Sequence, residues 1–411
     1  VIRCFVTGDN HFGRKYDSFG DAKDTLIEDR YKSFDQMVRK ANDEKCDLFF
    51  ITGDLFEKAD LDYIGGKQVF ERIIKMLSKF NSTVFIIPGN HDFYAGGLDF
   101  WSEFIKIRDD GNVNNIVVLN EWKPYETSIR GERVVIYPAY CQREHSDVNN
   151  LKWIKDSKID TEDAINIGLA HGTLEGLSYN NEGLYFYMSK AELNEIPVDA
   201  WFLGHAHVSY PDEIGYDYSE VGKIFNPGTH QQTHINNNTE GNCFIVEIEQ
   251  TGSGKKVRAK KVRSGIDRFY LVKVNVNPDS DDSLKNAIDN EVKNLAKEDG
   301  FDKSKSVIRL VPSGVVRPSE YEIRDEIFEK ATEGFLGRYE CSWSDLIELI
   351  EPDQIDQEFS EKSFISRFLH RFDDVSVTEE ESFTNRKELS MAYKVIKEIQ
   401  AGKKTTKGKR K

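Results

Sequence analysis

Thr83-Val84-Phe85-Ile86-Ile87-Pro88-Gly89-Asn90-His91-Asp92 joins a short apolar run to an abrupt polar end. The run is rich in β-branched and aromatic side chains and reads as a buried strand. Pro88-Gly89 then stops it at a cluster of hydrogen-bonding and titratable groups. The same form recurs along the first half of the chain. Ile2 to Thr7 leads into Gly8-Asp9-Asn10-His11, and Leu48 to Thr52 into Gly53-Asp54. Ile165 to Ala170 ends at His171-Gly172, and Ala200 to Leu203 at Gly204-His205-Ala206-His207. Between the first three runs, Thr25 to Asp43 and Ile64 to Phe80 carry apolar residues at helical spacing. Strands alternating with helices imply parallel crossovers and an α/β fold.

The carboxyl ends of strands line the ligand crevice of an open α/β sheet, so these clusters are expected to converge. Taken singly each is weak. A Gly-Asp after a strand is ordinarily a turn, and a lone histidine is ordinarily a hydrogen-bonded core or surface residue. His205-Ala206-His207 is stronger, because alternate residues of an extended backbone project from one face. Five of the chain's nine histidines fall in these clusters, which turns alone do not explain. Mixed oxygen and imidazole donors suit Mn, Fe, Zn or, less well, Mg, and not copper(I) or an iron–sulfur cluster. The donors outnumber the needs of one ion. Two cations roughly 3.5–4 Å apart and sharing a carboxylate would use them fully. Asp92 reads equally as a residue orienting its neighbours or as a helix cap.

The remaining chain bounds the answer. Its 411 residues suggest two or three domains. A formal charge of −15 argues against indiscriminate nucleic-acid binding through a basic surface. It does not exclude a nuclease, since bound cations supply local positive charge. No run approaches the roughly 18 apolar residues of a membrane span. Val1 to Thr7 enters a strand without the core of a signal peptide, so a cytoplasmic protein is expected. Five scattered cysteines without a C-x-x-C pair read as small buried thiols rather than a zinc knuckle or disulfide framework.

Val134 to Tyr137 and Cys243 to Ile248 suit a second sheet, with a hairpin turn at Thr251 to Lys256. Composition changes near Ser264. Strands at 269–276, 307–311 and 338–342 then alternate with helices at 282–296 and 318–332, a unit of its own over residues 265–343. After an acidic stretch, amphipathic helices at 361–372 and 379–400 fill a segment 355–411. Its basic end, Lys403 to Lys411, reads as a disordered tail, either solvated or contacting phosphate.

The ordered set Asp-x-His, Gly-Asp, Gly-Asn-His-Asp, His-Gly and Gly-His-x-His resembles the calcineurin-like metallophosphoesterases over roughly residues 1 to 250. That resemblance implies a two-sheet α/β sandwich flanked by helices over residues 1–262, with a smaller α+β domain and a C-terminal helical segment. It implies two divalent ions, with manganese expected. Asp9, His11, Asp54 and His207 would hold one, and Asp54, Asn90, His171 and His205 the other. His91 would not be a ligand but would face the scissile phosphate as proton donor or charge stabiliser.

Within the family, Gly53-Asp54-Leu55-Phe56, Asp9-Asn10-His11-Phe12-Gly13 and Asn226-Pro227-Gly228-Thr229 resemble the SbcD-type DNA double-strand-break repair nucleases. The Gly-Asp-x-x-Asp-Arg-Gly form of protein serine/threonine phosphatases is absent. This resemblance implies a DNA-capping role for residues 265–343. It also implies docking of the C-terminal helices on an SbcC-type coiled-coil ATPase, through Phe364, Ile365, Phe368, Leu369, Leu389, Ala392, Tyr393, Ile396 and Ile399. Internal packing of the same stripe is the equal alternative. A homodimer through Phe70 to Lys79 and Phe100 to Ile107 is a further implication. Glu57 stands where many members carry histidine, which leaves its part open. Lys255 to Arg263 and Arg317 could contact DNA phosphates or form a solvated face, and no substrate-binding residue is identified. The expected function is a two-metal DNA exo/endonuclease within a repair complex. The alternatives are hydrolysis of small phosphate esters and a non-catalytic DNA-end-binding scaffold.

Overall fold

Alternate residues of the first strands face opposite ways, and both faces are apolar, so the sheet they form must be covered on both sides. The computed structural model describes residues 1–400 apart from 65, 98–99, 178–182, 237–238, 253, 279–282, 351 and 373–378. In it β1 (Ile2–Thr7), α1 (Lys23–Asp43), β2 (Leu48–Ile51), α2 (Lys58–Ile64), α3 (Lys67–Leu77), β3 (Thr83–Ile86), α4 (Phe100–Asp110) and β4 (Ile116–Val118) form four parallel strands with helical crossovers. Phe5, Phe49, Ile51, Val84 and Ile86 pack under α1, α3 and α4. Cys4, Val6, Leu48, Phe50 and Phe85 face the other way, into a second core.

That second core is closed by another sheet. β5 (Tyr125–Ile129) pairs antiparallel with β6 (Glu132–Ala139), which is followed by parallel β7 (Ala164–His171), β8 (Ala200–Gly204) and β9 (Ile224–Phe225). α5 (Lys152–Lys155) and α6 (Lys190–Glu195) cover its outer face with Trp201, Leu203 and Leu193. The expected two-sheet sandwich therefore stands, with two reassignments of strands. The segment Cys243 to Ile248, expected in the second sheet, lies in β10 (Asn242–Thr251), which pairs antiparallel with β1 in the first sheet. β7 and β8 leave the first three strands and join β6 instead. An apolar period-2 run fits either sheet equally well, and its partner depends on residues far away in sequence. β10 turns into β11 (Gly254–Arg263), so the expected turn is a real hairpin.

One compact unit ends at Arg268 and another starts at Phe269. The second comprises β12 (Arg268–Val276), α7 (Ser283–Leu295), β13 (Ser306–Val316), α8 (Pro318–Glu322), α9 (Arg324–Ala331), β14 (Gly337–Arg338) and β15 (Leu346–Glu348). β13 is the central strand, with β14 and β15 both parallel to it. The single helix expected over 318–332 is interrupted at Ile323, whose backbone leaves helical geometry. α10 (Pro352–Glu358), α11 (Phe364–Leu369) and α12 (Glu379–Gln400) complete the described chain around Ile350, Ile355, Phe359, Leu369 and Leu389. α10 occupies the expected acidic stretch, and Lys403 to Lys411 lie outside the described residues. All five thiols are free, four of them buried. Among the described residues no helix is long and apolar enough to cross a membrane.

Candidate metal centre

The loops that follow β1 and β2 continue side by side as a ribbon. Asp9 N–H donates to Gly53 C=O (3.1 Å), His11 N–H to Asp54 C=O (2.9 Å), and Phe12 N–H to Leu55 C=O (2.9 Å). Glu57 N–H returns to Phe12 C=O at 2.9 Å. Asp9, His11, Asp54 and His205 all take positive φ, at 48°, 46°, 49° and 100°. Such strain in a non-glycine residue costs roughly 1–3 kcal/mol each, so something must hold these turns. Phe12, Leu55 and Phe56 are fully buried anchors within the ribbon, each stabilising by roughly 1.5–3 kcal/mol. Asp92 ties in the loop after β3: its carboxylate accepts from Phe56 N–H (3.0 Å) and Gly89 N–H (2.6 Å). It is an orienting residue, not a helix cap.

Two sheets contribute to the resulting cluster. Asp9, His11, Asp54 and Asn90 come from the first, and His171, His205 and His207 from the ends of β7 and β8. His11 Nε2 lies 3.0 Å from His207 Nε2, and His207 Nε2 lies 3.8 Å from Asp9 Oδ1. His171 Nε2 lies 3.2 Å from Asp54 Oδ2 and 3.0 Å from Asn90 Oδ1, while His205 Nδ1 is also 3.0 Å from Asn90 Oδ1. Asp9, His11 and His207 form one group of converging donors, and Asp54, His171 and His205 another. All seven residues expected as ligands are thus brought together, with Asn90 between two histidines.

The donor chemistry fits cations. Thr52 C=O accepts from His171 Nδ1 at 2.8 Å, so the neutral ring carries its lone pair on Nε2. That lone pair then faces two oxygen acceptors with no proton to share, an arrangement a cation resolves. Burial drives the Asp9 carboxyl well above its usual range, with Asp54 adding to the effect against His171. Asp54 is held low despite its burial by His171 and His11. Burial opposes the charge on His171, but Asp54 draws it up to about 9, and His205 is pushed by burial and by His171 down to about 3. Left to itself the cluster relieves its charge only by redistributing protons. Cations do so with carboxylates ionised and imidazoles neutral, the ligating forms.

His91 belongs to neither of these groups but packs edge-on against His11, ring centroids 4.8 Å apart, and converges with His11 and Glu57 in a third cluster of donors. Its N–H donates to Asp54 Oδ1 at 2.8 Å, and its ring is 41% exposed. Nδ1 lies 2.8 Å from Glu57 Oε1, while Glu57 Oε2 is 3.2 Å from His11 Nδ1. Glu57 thereby touches His11, one of the expected ligands, and His91 at once, a contact the sequence signalled only as a departure. Two further supports went unread in the sequence. Thr233 Oγ1 pairs with His207 Nδ1 at 3.1 Å, and the Thr229 hydroxyl donates to Asp9 C=O at 2.9 Å. Beside the cluster, the half-buried Tyr185 ring stacks on His205 (5.2 Å, 27°), and the exposed His145 meets it edge-on at 4.9 Å.

The basic strand β11 is not a free phosphate-binding face. Lys255 pairs with Asp199, Lys256 with Glu220, Arg258 with Glu247, Lys260 with Glu44 and Arg263 with Glu240. Lys261 reaches the Asp212 carbonyl.

A family model described as calcineurin-like phosphoesterase matches residues 2–209. The chain is similar to the uncharacterized metallophosphoesterase YhaO of Bacillus subtilis, 23% identical over 225 residues, which are 54% of this chain and 50% of that protein. It spans about half the length of that curated relative. Among solved structures it is similar to the calcineurin-like phosphoesterase YfkN from Bacillus subtilis, at 14% identity and a TM-score of 0.36, covering 64% of this chain and 89% of that one. A dimetal phosphatase from Danio rerio matches at 12% identity and a TM-score of 0.35, covering 64% and 98%.

Proposed function

The chain belongs to the calcineurin-like phosphoesterases, and on that footing we propose that it is a two-metal DNA exo/endonuclease that hydrolyses phosphodiester bonds. The observation that supports hydrolysis is the pair of donor groups, Asp9-His11-His207 and Asp54-His171-His205, with Asp54 Oδ2 3.9 Å from His11 Nε2 and His91 exposed at their edge. Asp9, His11, Asp54 and His207 would hold one cation, and Asp54, Asn90, His171 and His205 the other, with manganese the expected metal. When bound, such a pair activates water near neutral pH and neutralises phosphate oxygens. His91 then completes the chemistry. Attack of water forms one P–O bond and breaks the ester P–O bond, and the leaving alkoxide takes its proton from His91. With Nδ1 engaged by Glu57, Nε2 is the ring nitrogen left for that transfer.

DNA as substrate rests on the Gly-Asp-Leu-Phe and Asn-Pro-Gly-Thr resemblance and on the second unit. The stacking surface of Tyr185 and His145 beside His205 suits a nucleobase flanking the scissile phosphate. A specific observation favours the rival reading, small phosphate esters: the cations of β11 are engaged by acids or a carbonyl and offer little to a DNA backbone. An SbcC-type ATPase partner is proposed for the C-terminal helices. Leu369 and Leu389 are buried and Ile365, Ala392, Tyr393 and Ile396 pack beside them, so internal packing takes much of the expected stripe. Phe364, Phe368 and Ile399 stay exposed and are the residues offered for docking. For a homodimer, Phe70, Ile73, Trp101 and Phe104 are already committed to their own core.

One experiment separates the readings. Purified protein with Mn²⁺ is offered single-stranded DNA, duplex ends and bis(p-nitrophenyl) phosphate. Cleavage of DNA supports the nuclease. Turnover of the small ester alone rejects it, and no turnover with metals bound leaves the scaffold.

A further inference from the structure

Arg30 of α1 is buried behind the metal-ligand turn at 2% exposure, and among the described residues it forms no ion pair with an acid. Its Nε donates to Asn10 C=O (2.5 Å), and Nη1 donates to the Tyr16 hydroxyl (3.1 Å) and, more weakly, toward Gln231 C=O (3.5 Å). Nη2 has no hydrogen-bond partner. A guanidinium buried without a carboxylate is strongly unfavourable. An apolar side chain would fill the same space without that cost, so packing does not account for the residue.

What Arg30 holds is the strained turn. Asp9 and His11 flank Asn10, and both have left-handed backbones. Two successive carbonyls of the turn are fixed from separate elements: Asp9 C=O by the Thr229 hydroxyl and Asn10 C=O by Arg30. The Asn10 side chain closes a ring of bonds. Its Nδ2 meets His230 Nδ1 at 3.0 Å, and His230 Nε2 donates to Arg30 C=O at 3.3 Å. α1 thus grips the turn twice, once through the Arg30 side chain and once through its main chain. None of Asp54, Asn90, His171 or His205 bonds to Arg30.

We propose that Arg30 is a positioning residue for the first cation site alone, holding the Asp9-Asn10-His11 turn in the conformation from which both side chains reach one cation. The inference rests on the two-cation reading given above. Supports of this kind typically change metal affinity by about 10- to 100-fold when removed.

The test is a calorimetric Mn²⁺ titration of metal-stripped wild type, Arg30→Met, Arg30→Lys and Tyr16→Phe, each checked for folding by near-ultraviolet circular dichroism and thermal unfolding. Wild type should bind two ions. Arg30→Met should bind one of them at least about 10-fold more weakly and the other unchanged. Arg30→Lys keeps the charge without the planar fork; it should fall between the two and carries the test if the methionine variant does not fold. Tyr16→Phe removes a partner of Arg30 while sparing the Asn10 bond, and should bind as wild type does. Folded Arg30 variants with both affinities intact would overturn the proposal. So would an equal weakening at both sites, which marks a general effect on the fold. Wild type binding no Mn²⁺ would instead remove the two-cation reading itself.

Discussion

Gly89→Ala is the substitution whose cost can be worked most directly from the structure. Gly89 does not have a positive φ, so alanine can adopt its backbone and the effect is one of space alone. A Cβ placed there would lie 2.2 Å from Asp54 Oδ1 and 2.3 Å from Asp54 N. Comfortable contacts begin near roughly 3.5 Å, so the two loops must part by on the order of 1 Å. The Asp54 main chain cannot simply yield, because its carbonyl accepts from His11 and its Oδ1 accepts from His91 N–H. A misplacement of about 1 Å near the chemistry costs about 100-fold in rate, and overpacking costs about 1–3 kcal/mol in stability. The assay is Mn²⁺-dependent hydrolysis of bis(p-nitrophenyl) phosphate, or of DNA where that is the substrate, beside urea unfolding. Gly215→Ala is the control, since nothing lies within 4 Å of its added Cβ and its φ is not positive. Gly89→Ala with wild-type rate and stability would refute the close approach of these loops, and with it the placement of Asp54.

Other outcomes follow from the same geometry. His91→Ala should lose activity by about 100-fold or more, as removal of a general acid does, while metal stoichiometry by elemental analysis stays at the wild-type value; loss of metal would make His91 a ligand. Glu247→Gln tests the core away from the site. Its buried carboxylate sits 2.7 Å from Arg3 and 2.6 Å from Arg258. Burial alone would raise its pKa, but these arginines hold it below the usual range. Its stabilisation is therefore present above about pH 4.3, the unfolded value, and disappears as pH falls through the folded one. Because both arginines can rehydrate, the variant should lose about 1–2 kcal/mol at pH 7 and less at a pH below about 4.3. An equal loss at both pH values, by urea unfolding, would contradict that.

Much of the candidate site was legible because the residues expected as ligands sit where a regular pattern breaks. Apolar runs ending in Gly-Asp-Asn-His, Gly-Asp or Gly-Asn-His-Asp mark strand ends without knowledge of strand partners. For the same reason the distribution of strands between sheets was not legible, and β10 was expected in the second sheet when it pairs with β1 in the first. Alternation encodes which faces are buried, not what lies across from them. The supporting layer was hidden for a related reason. Arg30 reaches Asn10 across 20 positions and His230 reaches it across 220, and neither carries a local signature. The basic run of β11 left phosphate contact and a solvated face equally open. Its acids come from Glu44, Asp199, Glu220, Glu240 and Glu247, so pairing is invisible until the chain is folded. Glu57 was visible only as a departure, and its contact with two histidines required coordinates.

The most direct test is a metal count on Asp54→Asn. Asp54 lies at the junction of the two donor groups, with Oδ2 3.2 Å from His171 Nε2 and 3.9 Å from His11 Nε2. Elemental analysis after equilibrium dialysis against Mn²⁺ should find two ions in wild type and fewer than one in the variant, because a shared carboxylate serves both sites. Retention of one full ion by Asp54→Asn would contradict a shared ligand, and with it a centre in which two cations act as a unit.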